Sequence, residues 1–381
     1  MFRSKRWLTV LIVLMLVSIT FSPALAQSTP PGNTPTLGDI EPVDPTEFTA
    51  LPVDYVPGGE ISVDVTAPAP NYPFQNIVMT RTPKFYFTPR IGASQYHVVV
   101  VDTMASPDKV VAHVYGTGSC TKYICYLQSS TALKTLRFEA ASGGLYSWYV
   151  EAMVGGSWQG LSSGAMFAVG SSGFTQDFNL NTKKWVPLSG TWTRTDKGYY
   201  KGVGPVGSMT SALQKELFTN DYVYEVTFKR KVEADSFNRI IFMGMPTPLS
   251  SDFSWYSGYY FGYYNSGTWE LWRRDAGTIT VLYDNVPSPF IEPYGWNTLT
   301  VWTDYPNIHM WINGGYLGYI FDDTYASGFV GVGMYENFSD SSPVLVNSAK
   351  LYYTNVAPYA ITDAVLGEPL NIQVEGERVI E

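Results

Sequence analysis

The sequence predicts an all-β protein built from two β-sandwich domains, and three observations carry that prediction. Short runs of alternating apolar and polar residues recur along the chain, each bounded by turn residues. Helical periodicity is nearly absent, apart from a short helical turn near residues 212–217. The 381 residues are 15% aromatic and only 15% charged, which suits stacked sheets rich in large rings. A chain of this length accommodates about two domains.

Residues 1–26 have the features of a secretory signal peptide. A basic start at residues 3–6 precedes an apolar run from Trp7 to Phe21, and Ala26 ends a small-residue cleavage site. The run is too short for a good membrane span, and the next residue, Gln27, is not a cysteine that could carry a lipid. We therefore expect a secreted or cell-surface protein with no membrane insertion after cleavage.

Removal of this segment makes the net charge of the chain more negative. The 24 Lys and Arg fall to 21 against 33 Asp and Glu, a formal charge of −12. That charge repels phosphate backbones and anionic lipid surfaces. No nucleic-acid partner is therefore expected.

Residues 27–60 form a proline-rich segment with too few apolar residues for a core. Thr, Gly, Asp and Glu make up much of the remainder, a composition that predicts an extended, disordered spacer. Its expected role is to hold the folded part away from a surface or partner.

Residues 61–169 are predicted to form the first sandwich, because short strand-like runs follow one another without helices. The runs lie at residues 84–87, 95–101, 110–115 and 145–153. The order T-P-x-F-x-F-T-P, G-A-S-x-Y-x-V-x-V and Y-x-W-x-V-x-A resembles fibronectin type III and immunoglobulin-like modules over about residues 63–169. That resemblance implies Trp148 as the core tryptophan.

Cys120 and Cys125 are the two cysteines of the sequence, and both follow the cleavage site. An exported chain meets an oxidising environment, so a disulfide between them is predicted. The bond closes a small loop. We interpret it as a local clip, since the redox motif needs the spacing C-x-x-C.

The second domain is predicted over residues 174–355, and its most regular pattern lies between Gly295 and Gly333. Apolar residues alternate through Leu299 and Val301, then again from Ile308 to Ile312 after a short turn, as in a half-buried hairpin. Asn-Gly at residues 313–314 predicts a two-residue turn, because both positions need positive φ. A third strand is expected to fold back from there.

The combination of W-N-x-L-x-V, a short turn, an apolar strand and Asn-Gly resembles a signature of concanavalin A-like and laminin-G-like jelly rolls. Phe329-Val-Gly-Val-Gly-Met334 is similar to the strand that follows it in such domains. The resemblance extends over about residues 174–354 and implies a jelly-roll fold. That fold hosts lectins, glycosidases and adhesion modules, so it does not select one function. Residues 356–381 follow as an acidic tail, an extra edge strand or the start of another element.

The densest aromatic stretch lies between residues 253 and 272, and it predicts a carbohydrate-binding surface. Sugar rings present flat C–H faces that stack on Trp and Tyr. Alternate tyrosines of the strand at residues 259–264 face opposite ways, so one set must line the core, and the pattern does not select which. The segment just before it is rich in Ser and Asp, which favours its rings as exposed. The candidate binding residues are Trp255, Tyr256, Tyr259, Tyr263, Trp269 and Trp272.

Catalytic motifs are scarce. The histidines lack H-x-x-x-H spacing, and they are interpreted as strand-face residues. Laminarinase-type jelly rolls carry an E-x-D-x-x-E strand, whereas the nearest stretch here, Glu270 to Asp275, lacks the middle acid. These two acids are interpreted as surface charge. A glycoside-processing hydrolase with acids from distant strands stays the alternative.

Calcium is a second open alternative. Asp177, Asn179 and Asn181 alternate, so on an extended strand their oxygens would share one face and suit Ca²⁺. Simple solvent exposure is the favoured interpretation, because exposed Asp and Asn are common. A structural calcium would shape loops only.

The favoured function is non-catalytic recognition of a polysaccharide or glycoconjugate outside the cell. Stacking by exposed aromatics is the expected mechanism, with no cofactor required. Two alternatives differ in class: the hydrolase, and a structural or adhesive module that binds a surface protein. An exposed aromatic patch without a groove would favour the adhesive module.

Overall fold

The computed structural model describes residues 67–230, 236–336 and 342–361. The predicted signal peptide, the spacer, residues 61–66 and most of the acidic tail lie outside these ranges. The chain divides into two compact units, Met1–Gly170 and Ser171–Glu381. None of the described residues forms a helix with the length and hydropathy that crossing a membrane would require.

The described part of the first unit, residues 67–170, contains ten strands, several of which coincide with the predicted runs. Their bounds are β1 Pro70–Tyr72, β2 Asn76–Val78, β3 Lys84–Phe87, β4 Ala93–Asp102, β5 Lys109–Gly116, β6 Ser119–Cys120, β7 Cys125–Gln128, β8 Leu145–Val154, β9 Ser157–Trp158 and β10 Ala165–Val169. One sheet has the order β1-β3-β7-β6 and the other the order β2-β10-β8-β4-β5, with β9 beside β8. The two sheets enclose a core around Trp148, whose ring lies 5.0 Å from that of Phe85.

A disulfide and a buried chain of hydrogen bonds stabilise this first unit locally. Cys120 and Cys125 form the predicted disulfide between β6 and β7. On β4, the buried His97 places Nδ1 2.8 Å from Glu151 Oε1 and Nε2 3.0 Å from His113 Nδ1. A hydrogen-bonded chain therefore runs across three neighbouring strands, β8, β4 and β5.

Sixteen strands lie in the residues of the second unit that the structure describes. Their bounds are β11 Phe174–Asp177, β12 Trp185–Ser189, β13 Thr191–Arg194, β14 Tyr200–Val203, β15 Met209–Gln214, β16 Phe218–Thr219, β17 Tyr222–Arg230, β18 Phe237–Met245, β19 Ser257–Tyr264, β20 Thr268–Asp275, β21 Thr278–Pro287, β22 Asn297–Asp304, β23 Asn307–Ile312, β24 Gly315–Phe321, β25 Ser327–Tyr335 and β26 Val344–Tyr353. The helical turn expected near residues 212–217 is wrong, because β15 occupies the first half of that segment and no helix follows it there.

These strands form two eight-stranded antiparallel sheets. The β17 sheet has the order β13-β14-β26-β17-β22-β23-β24, with β11 beside β26. The β19 sheet has the order β12-β15-β25-β18-β19-β20-β21, with β16 beside β25. One apolar core includes side chains from both sheets, as sheet-on-sheet packing requires. The prediction of an all-β protein whose second domain is a two-sheet, jelly-roll β-sandwich is confirmed.

The signature hairpin folds as its pattern predicts. Leu299 pairs with Ile312 and Val301 with Met310, and all four side chains are buried in the core. Residues 313 and 314 turn the chain with φ of 52° and 78°, so the Asn-Gly dipeptide supplies the positive φ that a two-residue hairpin needs. β24 then pairs back onto β23.

Residues 354–361 lie on the outer side of the β17 sheet. Ala357 and Tyr359 pack against buried rings that include Trp302 and Trp311. The Tyr359 hydroxyl donates to Glu225 Oε2 at 2.7 Å. The start of the predicted tail is therefore packed against the sandwich.

A buried ion pair joins the ends of β17 and β25. Arg230 donates to the Glu336 carboxylate, and both side chains are 0% exposed. Ser236 donates to the other carboxylate oxygen at 3.0 Å, and Arg230 also donates to the backbone oxygens of Tyr335 and Ser342. Burial removes the hydrating water from both charges, so each charge depends on the other for its electrostatic stabilisation.

Replacing Glu336 with glutamine should lower the free energy of unfolding of the second unit by about 3–5 kcal/mol, because Arg230 would stay buried without a countercharge. Urea unfolding followed by tryptophan fluorescence measures this. Lys350→Gln is the matched control: Lys350 pairs with Glu225 at 2.8 Å but is 41% exposed, so its loss should cost less than about 1 kcal/mol. Equal losses in the two variants would contradict the expectation.

Candidate functional site

Most of the predicted aromatic belt is buried in the jelly roll. Trp255, Tyr259 and Tyr263 are 0% exposed and Trp269 is 2% exposed. The expectation that Trp255 is an exposed loop ring is therefore corrected. Tyr256 and Trp272 are the members of the predicted set that are partly exposed.

Alternation along β19 explains the buried set. Tyr259, Phe261 and Tyr263 point into the core, where the Tyr259 ring stacks 5.2 Å from Phe242. The opposite set, Tyr260, Gly262 and Tyr264, must therefore face the outer side of the β19 sheet. Packing between the sheets thus decides the choice that the sequence pattern leaves open.

Trp255 has a structural role on the outer side of the sheet. Its indole lies on Gly244 and Gly331, where an added Cβ would come within 2.6 Å of the ring. Its Nε1 donates to Ser211 Oγ at 3.0 Å, and its backbone oxygen accepts from the Tyr260 hydroxyl at 3.2 Å. The loop between β18 and β19 is therefore anchored over that part of the sheet.

A row of residues on the same outer side brings two opposite charges together. Strand register aligns Gly333, Arg239, Gly262 and Glu270 across β25, β18, β19 and β20. The glycines leave Arg239 and Glu270 without side-chain neighbours inside this row. We call these two residues, with the rings of Phe237, Tyr264 and Trp272, the outer-face cluster.

Arg239 is surrounded by aromatic rings. Its guanidinium carbon lies 4.1 Å from the ring centre of Phe237, 4.8 Å from Trp272, 5.7 Å from Tyr260 and 5.8 Å from Tyr335. The side chain is buried, and its Nε has no hydrogen-bond partner among the described residues. Burial lowers the pKa of the guanidinium to about 10, and the charged form is held by cation–π contacts.

Glu270 is buried at 3% exposure, so its interpretation as a surface charge is wrong. The Tyr264 hydroxyl donates to its Oε2 at 3.1 Å. Burial raises the pKa of this carboxyl to about 6, although the Tyr264 hydroxyl and the charge of Arg239 oppose the shift. The exposed Asp284 on β21 raises the pKa further through charge repulsion.

The outer-face cluster has the chemical groups that sugar recognition uses. Tyr264 and Trp272 are partly exposed, and each ring stacks on Phe237, at 4.7 Å and 5.3 Å between centres. A continuous aromatic surface therefore borders a carboxyl group and a guanidinium. Flat rings, acceptor oxygens and N–H donors together suit a polyhydroxylated ligand.

The sequence pattern singled out Trp272 but missed Arg239, Tyr264 and the burial of Glu270. Glycine was the overlooked signal. Gly262 on β19 lies between two outward tyrosines, and Gly331 and Gly333 lie on the same face of β25, with β18 between the two strands. Glycine on nearby strands marks a face over which large side chains lie flat.

The calcium hypothesis assumed that residues 177–181 form an extended strand, and the structure does not have that strand. β11 ends at Asp177 and a turn follows, so residues 177–181 do not form an extended strand. Asp177 Oδ1 accepts from the backbone and side-chain nitrogens of Asn179, and Asn181 Oδ1 accepts from the Lys183 nitrogen. Within residues 67–230, 236–336 and 342–361, no group of three or more His, Cys, Asp or Glu is placed to hold a metal.

Comparisons with known proteins find similarity in structure only. No protein-family model matches the chain, and no curated protein sequence matches it. Carbohydrate binding module CBM66 from Bacillus subtilis is 16% identical, with a TM-score of 0.35, covering 44% of this chain and 94% of that module. A Bacillus subtilis protein of unknown function with a galectin-like fold is 14% identical, with a TM-score of 0.36, covering 47% and 94%.

A β-1,3-1,4-glucanase (lichenase) from a mouse hindgut metagenome is also similar in structure. It is 10% identical, with a TM-score of 0.36, and the alignment covers 48% of this chain and 100% of the glucanase. Each of the three alignments spans less than half of the present sequence.

The raised pKa of Glu270 makes stability depend on pH. A carboxyl whose pKa is about 6 when folded and 4.5 when unfolded holds its proton more tightly in the folded state, so stability falls as pH rises through this range. Between about pH 4 and pH 8 the wild type should lose about 2 kcal/mol that Glu270→Gln does not lose. Urea unfolding of both proteins across this range measures the difference.

Tyr264→Phe is the companion variant for this measurement. It removes a hydrogen bond that favours the charged carboxylate, so the pH at which stability falls should move upward. A constant offset between wild type and Glu270→Gln at all pH values would contradict the assignment.

Proposed function

We propose that the second unit binds carbohydrate through the outer-face cluster, and that the protein is an exported, non-catalytic binding protein. The observation that carries the proposal is a continuous aromatic surface, formed by the partly exposed Tyr264 and Trp272 on either side of Phe237, with the Tyr264 hydroxyl donating to the buried Glu270. The expected ligand is a polysaccharide or glycoconjugate. The predicted residues Tyr256 and Trp272 keep a place in this proposal, while Tyr259, Tyr263 and Trp269 support the sheet from the core.

Stacking and hydrogen bonding have separate roles in the proposed mechanism. The apolar face of one sugar unit lies against Trp272, which is held in place by its contact with Phe237. Hydroxyl groups at the edge of that unit donate to Glu270 and accept from Arg239. Because both charged groups are already buried in the free protein, little further desolvation is needed when the sugar binds.

We infer that the first unit is an immunoglobulin-like or fibronectin-like module. The support is its strand order: β1-β3-β7-β6 corresponds to the A-B-E-D sheet of an immunoglobulin fold, and β10-β8-β4 corresponds to the G-F-C sheet. It departs from antibody domains because its disulfide joins adjacent strands. In this proposal the signal peptide exports the chain and the proline-rich spacer separates the two sandwiches from a surface.

A glycoside hydrolase is the second candidate, and one observation favours it. The pKa of Glu270, raised to about 6, suits a general acid near neutral pH, and the carboxylate of Asp284 is close enough to raise it. Glycoside hydrolysis uses such a pair of carboxylates. In this candidate, Glu270 would protonate the leaving oxygen. Asp284, on the neighbouring strand, would be the second carboxylate, acting as nucleophile or general base.

Trp272→Ala should weaken binding of the full chain to its polysaccharide at least about tenfold, because the stacking surface is lost. Affinity electrophoresis in gels containing a β-glucan, a xylan or a fructan measures retention. Repeating the gels with a chelator tests the calcium alternative. Phe321→Ala is the matched control, since this ring is 71% exposed on β24 in the other sheet, and its removal should leave retention unchanged.

Reducing ends released in the same incubations separate the two candidates. Release that Glu270→Gln abolishes would place the protein among hydrolases. Retention without release supports the binding protein. If Phe321→Ala lowers retention as much as Trp272→Ala does, the ligand lies elsewhere, and absence of both retention and release favours the protein-binding alternative.

A further inference from the structure

A separate cavity lies where β11, β12 and β15 meet in the jelly roll. It has a volume of about 250 Å³, and its lining includes Phe174, Gln176, Leu180, Lys184, Trp185 and Gln214. It shares no residue with the outer-face cluster. The proposed carbohydrate site therefore leaves this cavity without a role.

Two hydrogen-bond donors at this cavity lack an acceptor. Trp185 Nε1 and Gln214 Nε2 are buried and have no partner among the described residues. Trp185 is 4% exposed and Gln214 is 0% exposed. Folding rarely leaves a buried N–H unsatisfied, because the group loses its hydrogen bonds to water. Two such groups at one cavity indicate that something else supplies the acceptor.

Strand register places these donors side by side. Trp185 on β12 pairs directly with Gln214 on β15, so their side chains leave the same face of the sheet as neighbours. The Gln214 amide is oriented by its own oxygen, which accepts from the Glu216 nitrogen at 2.5 Å. The two N–H groups therefore form a donor pair of fixed orientation.

The wall of the cavity is held by hydrogen bonds that are already complete. Gln176 Nε2 donates to the backbone oxygens of Asp177 and Asn181, at 2.9 Å and 2.8 Å. Lys184 pairs with Glu216 at 3.3 Å, and Ser171 donates to the same carboxylate at 2.7 Å. These contacts make the cavity a preorganised site whose unmet requirement is for acceptor oxygens.

We propose that this cavity is a ligand site for the acetamido group of a small N-acetylated sugar. Its carbonyl oxygen has two lone pairs and accepts from Trp185 Nε1 and Gln214 Nε2 together. The acetamido methyl contacts the apolar side chains of Phe174 and Leu180.

Charge favours a neutral acceptor over an anion here. Lys184 is the cation among the lining residues, and it is already paired with Glu216. Asp177 at the same cavity adds a negative charge that opposes a carboxylate ligand. The apolar wall gives the second reason, because Leu180 is 82% exposed beside the cavity and a methyl group would cover part of it.

The test follows the indole N–H signal of Trp185 in the ¹⁵N-labelled full chain, assigned by its absence from Trp185→Phe. N-acetylglucosamine should shift this signal in a saturable way, with a Kd of about 1 mM. Glucose, which lacks the acetamido group, should not shift it. Acetate serves as the charged arm and should bind at least about tenfold more weakly than N-acetylglucosamine.

Affinity in the variants is measured from the remaining signals of the second unit. Trp185→Phe keeps the ring and removes the donor, so it should weaken binding about tenfold. Gln214→Glu keeps the oxygen that accepts from Glu216 and replaces the amide nitrogen, and should weaken binding similarly. Trp192→Phe is the control, because Trp192 Nε1 already donates to Ser189 at 3.1 Å and does not line the cavity.

The absence of a saturable shift with N-acetylglucosamine would overturn the proposal and leave water as the acceptor. Stronger binding of acetate would overturn the assignment of a neutral acetamido group. Unchanged affinity in both Trp185→Phe and Gln214→Glu would place the ligand elsewhere. None of these results depends on Trp272, so the polysaccharide gels can fail or succeed independently.

Discussion

Every strand of the β19 sheet turns alternate side chains to opposite faces, and one face must fill the space between two sheets. Tyr259 and Tyr263 meet that requirement from β19, with Trp269 beside them on β20. Their rings supply the apolar volume of the core and leave the outer face to the alternate residues. The position of the outer-face cluster therefore follows from the packing of the core.

Glycine on the outer face lets large side chains lie flat against the sheet. Trp255 covers Gly244 and Gly331, and the ring of Phe237 would be 2.8 Å from a Cβ added to Gly262. In such a setting a charged residue becomes buried while lying on the outside of the sandwich. Arg239 illustrates this, because rings rather than carboxylates surround its guanidinium. Burial of this kind shifts a pKa and preorganises polar groups for a ligand.

Local pattern predicted the hairpin from Leu299 to Ile312, because its alternation and its Asn-Gly turn need no information from distant residues. The same type of pattern was insufficient for the aromatic belt. Alternation separates Tyr259 from Tyr264, but both faces carry rings, so hydrophobicity does not distinguish the inner set. Glu270 was misjudged because Arg239, which shares its row, and Phe237, which stacks on its partner Tyr264, come from another strand. The spacing of Asp177, Asn179 and Asn181 suggested one shared strand face, but a turn follows β11 in place of an extended strand.

The sequence by itself determined the all-β class, the hairpin at its most regular segment and the pairing of Cys120 with Cys125. These properties depend on local periodicity, turn chemistry and composition. Tertiary structure alone decided which rings are buried, which acids are buried and where donors stay unsatisfied. Trp185 and Gln214 lie about thirty positions apart in sequence, and only their pairing across β12 and β15 makes them neighbours. Contacts between distant strands determine burial, and burial determines which polar groups are left for a ligand.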